Sequence, residues 1–448
     1  MTEQLKLPAL SEETDSGEFR TVQYLGSKYR ILDRIVETIE NVARPSGSVV
    51  DLFAGSGVVA RRISDSWPTV AVDIQEYSRV LASALLAPTN ASDEAIEHIL
   101  EDAHHRAADL QSSVRELLNF EQEAVQSAYT DPTALVSVLE NGSMLALDNQ
   151  PDAMAPVLRQ ALSEGNDRLS KGPGSVMLRY YGGVYFSYTQ ALELDAIAEA
   201  ARDLPGTARV PALAAVLSTA SQVVTSVGSH FAQPINPRTA DGAIKQYAVE
   251  SILKSWGQSV FPTFRRWLDR YFRLTPTRFG GSARRQDFRA ALEDLPDDVA
   301  AVYADPPYTR DHYSRFYHVL ETLARGDEPL VSTVNSAGSS KLSKGLYRTG
   351  RHQSPFCIKS QAPTAFRQLM EPLASQHIPL VISYSPYQKG TRSRPRLMTV
   401  EALSKLAGEF YPRVAVESVG RIAHSKLNNK ATNAEVCYDA ELLVVCSG

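Results

Sequence analysis

Cysteine is scarce in this chain: Cys357, Cys437 and Cys446 are all there are in 448 residues. Odd in number and without paired ligand spacing, they exclude a disulfide framework and a zinc site, and they read as buried thiols. No apolar run is long enough to cross a bilayer, and no basic-then-apolar leader opens the chain, so the expectation is a cytoplasmic protein without a membrane partner. A phosphate-cradling Gly-Lys-Ser/Thr loop and a Ser/His/Asp nucleophile arrangement are also missing. His104 and His105 are adjacent, whereas metal ligands on a helix need a spacing of three or four, so they read as a solvated face and no metal is expected.

An excess of positive charge is lacking too, since 46 Lys and Arg stand against 51 Asp and Glu for a net charge of -5. That total does not advertise a nucleic-acid binder, but it averages over unlike faces. The stretch from Asp93 to Asp167 is acidic. Residues 254–289 are basic, with Arg265, Arg266 and Arg270 among them, and a second basic zone runs from Lys341 to Lys430. Such asymmetry suits a protein that meets phosphate on one side and water on the other.

The length allows two or three domains, or one domain carrying an insertion. Residues 1–18 are polar and acidic without apolar periodicity and read as a disordered tail. Short apolar runs at 49–53 and 69–73, separated by a Gly-containing turn and the helix-length segment 58–66, describe a βαβ unit. Further runs at 299–304, 379–384, 413–417 and 441–446 extend it into a parallel sheet, with helices at 30–40, 58–66, 313–324, 364–375 and 400–408. Between these halves the pattern changes to amphipathic stretches at 93–128, 191–203, 211–227 and 243–273, a mostly helical insertion, with 180–186 a local strand or a loop. The expected division is a catalytic domain over 19–90 and 281–448, interrupted by a helical region over 91–280.

Three motifs carry chemistry. In Asp51-Leu52-Phe53-Ala54-Gly55-Ser56-Gly57 a strand ends in glycines that let a ligand approach the backbone, while the absence of a third glycine disfavours pyrophosphate. Asp73, about 20 residues on and followed by Ile74, ends the next strand, where a carboxylate can accept from both ribose hydroxyls. Together they describe an adenosine-bearing cofactor without a diphosphate, which S-adenosylmethionine fits. Asp287 is either a helix cap or an acceptor for the cofactor's adenine amine, with Phe288 against that ring. Upstream, Tyr24, Gly26 and Lys28 precede an amphipathic helix, which taken alone is an ordinary helix start.

Asp305-Pro306-Pro307-Tyr308, after the apolar run 299–304, supplies the reaction. The lone pair of an exocyclic amine on adenine or cytosine is delocalised into the ring and attacks a methyl sulfonium poorly until acceptors hold the nitrogen. Asp305 can accept one N–H and the Pro306 carbonyl the other, which amounts to positioning plus electrostatics. Pro306 and Pro307 fix the carbonyl direction, and Tyr308 offers a face to a base extruded from the duplex. Beyond it, Tyr313, Phe316, Tyr317, Leu320 and Leu323 form a core-facing stripe, while Arg310, His312 and Arg315 face either phosphate or water.

In content and in order these motifs resemble the Dam-type adenine-N6 DNA methyltransferases, over about 20–90 and 281–448. Gly26 and Lys28 match that family's N-terminal cofactor motif, Asp51 to Gly57 its glycine turn, and Asp73 its ribose carboxylate. Asp287-Phe288 match its adenine-side motif and Asp305 to Tyr308 its catalytic motif. The resemblance implies a Rossmann-like methyltransferase sheet whose last two strands are antiparallel, a target-recognition region inside the helical insertion, and methyl transfer from S-adenosylmethionine to adenine N6 in double-stranded DNA. It also implies a restriction-modification or other defence setting, in which a cognate restriction endonuclease is the expected partner. Gly-Ser-Lys stands where Gly-Gly-Lys is commoner, and the insertion is longer than in the smallest members. No motif within it can be carried over, so its DNA contacts rest on the basic residues Arg265, Arg266 and Arg270, joined by Lys426 in the loop 421–432. Cytosine-N4 or RNA amine methylation, and a non-catalytic DNA-binding or specificity subunit, are the alternatives.

Overall fold

The computed structural model describes residues 19–23, 28–149, 154–170, 174–228, 230–310, 313–336, 339–385, 397–420 and 441–448. The expected tail, Tyr24, Gly26, His312, Cys437 and the loop 421–432 with Lys426 lie outside them.

Seven strands among the described residues make one sheet in the order β3 (Gly281–Arg285), β2 (Thr69–Asp73), β1 (Ser48–Asp51), β4 (Val299–Ala304), β7 (Leu380–Tyr384), β9 (Leu442–Ser447), β8 (Arg413–Ser418). The first five run parallel, and β9 is antiparallel to both its neighbours. A two-stranded antiparallel ribbon, β5 (Thr333–Ser336) with β6 (Ser339–Leu342), stands apart. The expected α/β class, parallel sheet and antiparallel final pair are what the chain adopts.

The central strands read as continuous apolar runs because both sheet faces are covered. The period of two sorts each run: Val302 and Ala304 of β4 face one core, Ala301 and Tyr303 the other. On the first face, helices Phe288–Glu293, Ala362–Ser375 and Val400–Ala407 bury Leu292, Phe366, Leu369 and Leu403. On the second, helices Leu32–Val42 and Val58–Ile63 bury Ile35, Ile39, Val59 and Ile63. Each such side chain, removed from water, contributes roughly 1.5–3 kcal/mol before the entropy of ordering it is subtracted.

The short helix Phe288–Glu293 is the one that the capping reading of Asp287 implies, while two elements of this frame have no counterpart among the expected ones: β3 and the helix Glu76–Leu86. The last buries Tyr77, Val80, Leu81, Ala84 and Leu85, a run with clear helical spacing, and packs closely on the turn after β1. Gly57 has φ +79°, and a Cβ there would lie 2.8 Å from Ala82 Cα, so only glycine admits this approach.

The intervening segment is helical. The expected 93–128 is two helices, Asp93–Ser113 and Arg115–Ser127, broken at Val114; 243–273 is likewise Gln246–Trp256 and Val260–Phe272. Ser187 and Gln190 form a reciprocal cap at the start of Tyr188–Asp203. Helix Arg209–Val223 is buried nearly all round, as its uniformly apolar sequence demands. Its Val216 and Leu217 share one core with Tyr77, Val80 and Leu81 of the sheet-side helix. Residues 180–186 form neither a strand nor a plain loop: a π-helical turn, Met177–Tyr181, leads into an isolated bridge between Gly182 and Phe186. No helix among the described residues is long and apolar enough to cross a membrane.

Candidate active site

Strand order reverses between β1 and β4, because from β1 the chain moves outward through β2 and from β4 it moves the other way. Ligands of open α/β sheets bind in the crevice that such a reversal leaves at the carboxyl ends of the strands. Asp51 ends β1, Asp73 ends β2 and Asp305 follows β4, so the sheet brings three carboxylates to that crevice.

Asp305 Oδ2 lies 2.9 Å from the Lys28 ammonium, which is also 3.3 Å from Glu441 Oε1. Ser383 Oγ donates to that same glutamate oxygen at 2.7 Å. Lys28 and Glu441 are buried, while Asp305 keeps 21% of its side chain accessible on the cleft side. Burial pushes the Asp305 pKa up and Lys28 pulls it down, with Glu441 pushing again, for a value of about 6. Burial lowers the Lys28 pKa, but Asp305 and then Glu441 raise it well above its ordinary value, so it remains a cation. Removing Lys28 would leave two neighbouring carboxylates without their counter-ion, at a cost of about 3–5 kcal/mol.

Asp51 is buried, and neither of its oxygens has a hydrogen-bond partner among the described residues. Burial, then the charge of Asp305, pushes its pKa up to about 8. It lines a small cavity of about 300 Å³ with Lys28, Ala54, Gly55, Ser56, Tyr303 and Asp305. The buried Tyr303 hydroxyl there also lacks a hydrogen-bond partner among the described residues. Asp73 is held differently: Oδ2 accepts from the Gly55 N–H at 3.0 Å and Oδ1 from the Gln75 N–H at 2.9 Å. Burial raises its pKa against those donors.

A larger cleft of about 890 Å³ opens beside this cluster. Asp73, Ile74, Gln286, Asp287 and Phe288 line one part of it, Asp305, Pro306, Pro307 and Tyr308 another, and Phe53 and Lys28 contribute to its wall. Asp287 does cap helix Phe288–Glu293, accepting from the Arg289 N–H at 3.0 Å, and it also lines the cleft, so the two readings of this residue are compatible. Phe288 is largely a core residue, with ring centroids 5.8 Å from Phe53 and 5.1 Å from Phe356. Tyr308 packs one side on Tyr384 at 5.3 Å, and Tyr313, expected in the core stripe, lines the cleft instead.

The structure gathers most of the sequence-derived residues and separates a few. Lys28 meets the Asp305 carboxylate directly. Gly57 lines neither cavity and serves the packing of Glu76–Leu86. Arg265, Arg266 and Arg270 sit on helix Val260–Phe272, outside both cavities: Arg265 pairs with Glu97, Arg270 lies over the Trp267 and Phe19 rings at 4.5 and 4.8 Å, and Arg266 is exposed. Sequence reasoning missed Glu441 and Gln286. Glu441 opens the last apolar run, and a carboxylate at the start of an antiparallel strand falls at the carboxyl ends of its parallel neighbours, so topology contained the signal. The Gln286 side-chain oxygen is buried without a hydrogen-bond partner among the described residues.

The family model for the D12 class of N6 adenine-specific DNA methyltransferases matches residues 24–146 and 278–349. Over 370 residues the chain is 22% identical to the type II methyltransferase M.FokI of Planomicrobium okeanokoites, an alignment covering 81% of this chain and 44% of that protein. It is 28% identical over 142 residues to the modification methylase LlaI of Lactococcus lactis subsp. lactis, covering 32% of this chain and 19% of that one. With the modification methylase StsI of Streptococcus sanguinis it shares 30% over 111 residues, 24% of this chain and 15% of the other. The chain thus spans less than half the length of these relatives.

Proposed function

We propose that this chain, which belongs through residues 24–146 and 278–349 to the D12 class of N6 adenine-specific DNA methyltransferases, transfers the methyl group of S-adenosylmethionine to the N6 amine of an adenine extruded from double-stranded DNA at a specific sequence. The observation that carries the reading is the convergence of Asp73, Asp287 and the Asp305–Tyr308 segment on one cleft. Its walls combine aromatic rings with a few polar groups, as small-molecule sites do, and the Gln286 side-chain oxygen, without a hydrogen-bond partner among the described residues, suits the polar edge of an adenine ring. The cofactor supplies an electrophilic methyl sulfonium. The protein supplies position: Asp73 takes the ribose hydroxyls, and Phe53 and Phe288 flank the adenine end.

At the other end Lys28 holds Asp305 Oδ2, leaving Oδ1 to accept one N–H of the target amine while the Pro306 carbonyl accepts the second. With both hydrogens held, the nitrogen lone pair is released from the ring toward the methyl carbon. Asp305 must be ionised for this, and Lys28 opposes the protonation that burial favours. Tyr308 braces the base, and the helical segment 91–280 provides target recognition. The relatives' names, modification methylases and a type II methyltransferase, support a restriction-modification setting, and a cognate endonuclease is the partner that such a setting would supply.

The test is to incubate the protein with S-adenosylmethionine and unmethylated DNA, hydrolyse the DNA to nucleosides and identify the modified one by mass spectrometry. The N6-methylated adenine nucleoside is expected from wild type and not from Asp305→Ala. N4-methylcytosine as the sole product overturns the choice of base, and equal background counts from both proteins point to a binding subunit.

A further inference from the structure

Two arginines near the cleft meet no acid among the described residues. Arg315 and Arg351 lie 5.7 and 5.0 Å from the centroid of the Tyr347 ring. Neither forms an ion pair with a carboxylate among the described residues. Arg351 is half-buried and spends its Nε–H on the Arg348 carbonyl at 2.9 Å, while Arg315 Nε is buried with no hydrogen-bond partner among the described residues. Burial, and then the neighbouring charge of Arg315 acting against Tyr347, lowers the Arg351 pKa from its ordinary value. Arg348 beside them is the contrast, since Asp327 grips both its terminal nitrogens at 3.0 and 2.7 Å. Two like charges brought together and partly desolvated are costly unless an anion completes the arrangement.

The platform between them is rigid. The Tyr347 hydroxyl donates to the Ala232 carbonyl, the His318 ring meets its edge at 5.2 Å, and Gly345 lies so close that a Cβ there would sit 2.4 Å from the ring. Such a ring presents guanidinium groups at fixed positions. Ser314 and His352, the chain neighbours of the two arginines, line the cleft. Tyr347 itself also lines a separate, broad groove bordered by Lys341 and Lys344, neither of which forms an ion pair among the described residues. The arginines therefore lie where the cleft adjoins that groove, beside the Tyr347 ring.

We propose that Arg315 and Arg351 form a phosphodiester-binding site, braced by Tyr347, for the DNA strand that delivers its base to the cleft, with the groove beyond receiving the duplex. This deepens the methyltransferase reading and rests on it. The planar forks of two arginines match the oxygens of one phosphate or of two neighbours, and such contacts set register without reading sequence. Holding the backbone beside the cleft also keeps an extruded base from swinging back into the stack.

Binding of the full-length protein to a fluorescent duplex of mixed sequence, measured by anisotropy between about 50 and 200 mM salt, tests the site. Arg351→Gln and Arg315→Gln are each expected to weaken binding roughly tenfold and to reduce the slope of log Kd against log salt by about 1. Affinity for S-adenosylhomocysteine should match wild type. Should Arg315→Gln lose cofactor binding through misfolding, the more accessible Arg351→Gln decides. Wild-type affinity and slope in Arg351→Gln, from a protein that does methylate DNA, overturn the phosphate site and leave the activity standing. A wild-type protein that neither binds nor methylates the duplex overturns both.

Discussion

Carboxylates are buried in two regions of this molecule, and the difference between them teaches how a site is told from a core. In the helical segment, Asp195 accepts from the Met177 and Leu178 N–H groups at 2.9 and 2.8 Å. Glu121 accepts from the Tyr188 and Thr189 N–H groups and from the Thr189 hydroxyl. At the sheet's carboxyl ends, Asp51 has no well-formed hydrogen bond among the described residues, with only a weak opposing pull from the Phe53 and Ala60 N–H groups, and Asp305 holds Lys28 on one side while facing the cleft on the other. Burial raises the pKa of all four, with Asp195 and Asp51 both reaching about 8. A raised pKa therefore reports desolvation, whereas unused acceptor capacity beside a cavity reports a place prepared for something else.

The comparison breaks if the two regions respond alike to truncation. The largest effect is expected at Asp305→Ala, where the rate constant for methyl transfer should fall at least about a thousandfold while calorimetric binding of S-adenosylhomocysteine persists. Asp195→Ala strands two buried N–H donors and should lower unfolding free energy by about 2–4 kcal/mol in urea titrations. Its remaining folded fraction should turn over at the wild-type rate, and a lost rate there would erase the distinction.

Acid sharpens the same contrast. If Asp305 accepts the amine N–H as proposed, its protonation removes that acceptor, so kcat should decline below about pH 6, approaching tenfold per pH unit. A flat single-turnover profile from pH 5 to pH 8 would remove Asp305 from the rate-determining chemistry. The smallest effect is expected at Arg265→Ala: Glu97 already engages this exposed arginine, so DNA affinity should change by less than about twofold. A larger loss than that of Arg351→Gln would return the DNA-binding surface to helix Val260–Phe272.

The sheet was legible because its inner strands are buried on both faces and spell themselves as apolar runs such as 299–304. Edge strand β3 was not: Gly281-Ser282-Ala283-Arg284-Arg285 is partly exposed and charged, and only its pairing with β2 makes it a strand. Helix Glu76–Leu86 carried its period openly and was passed over beside the motif at Asp73. In the site, the local motifs Asp51–Gly57, Asp73, Asp287 and Asp305–Tyr308 were readable because each combines a special backbone with a functional side chain. The Lys28–Asp305–Glu441 cluster was less so, since its members come from opposite ends of the chain and meet only through sheet topology. Arg315 was readable only as facing phosphate or water, and Arg351 was hidden, because their relation is set by Tyr347.

The helical segment does not hang from the sheet by a tether. Its Leu192, Val216 and Leu268 interlock with Tyr77, Val80 and Leu85 in one core, against a turn where Gly57 leaves no clearance. It therefore cannot be traded between relatives as a cassette, because a graft would bring one half of an interlocked packing and leave the other behind. If the segment reads the target as proposed, new preferences are expected to accumulate on the grooves and loops that the shared core holds out to solvent, or to arrive together with the whole sheet.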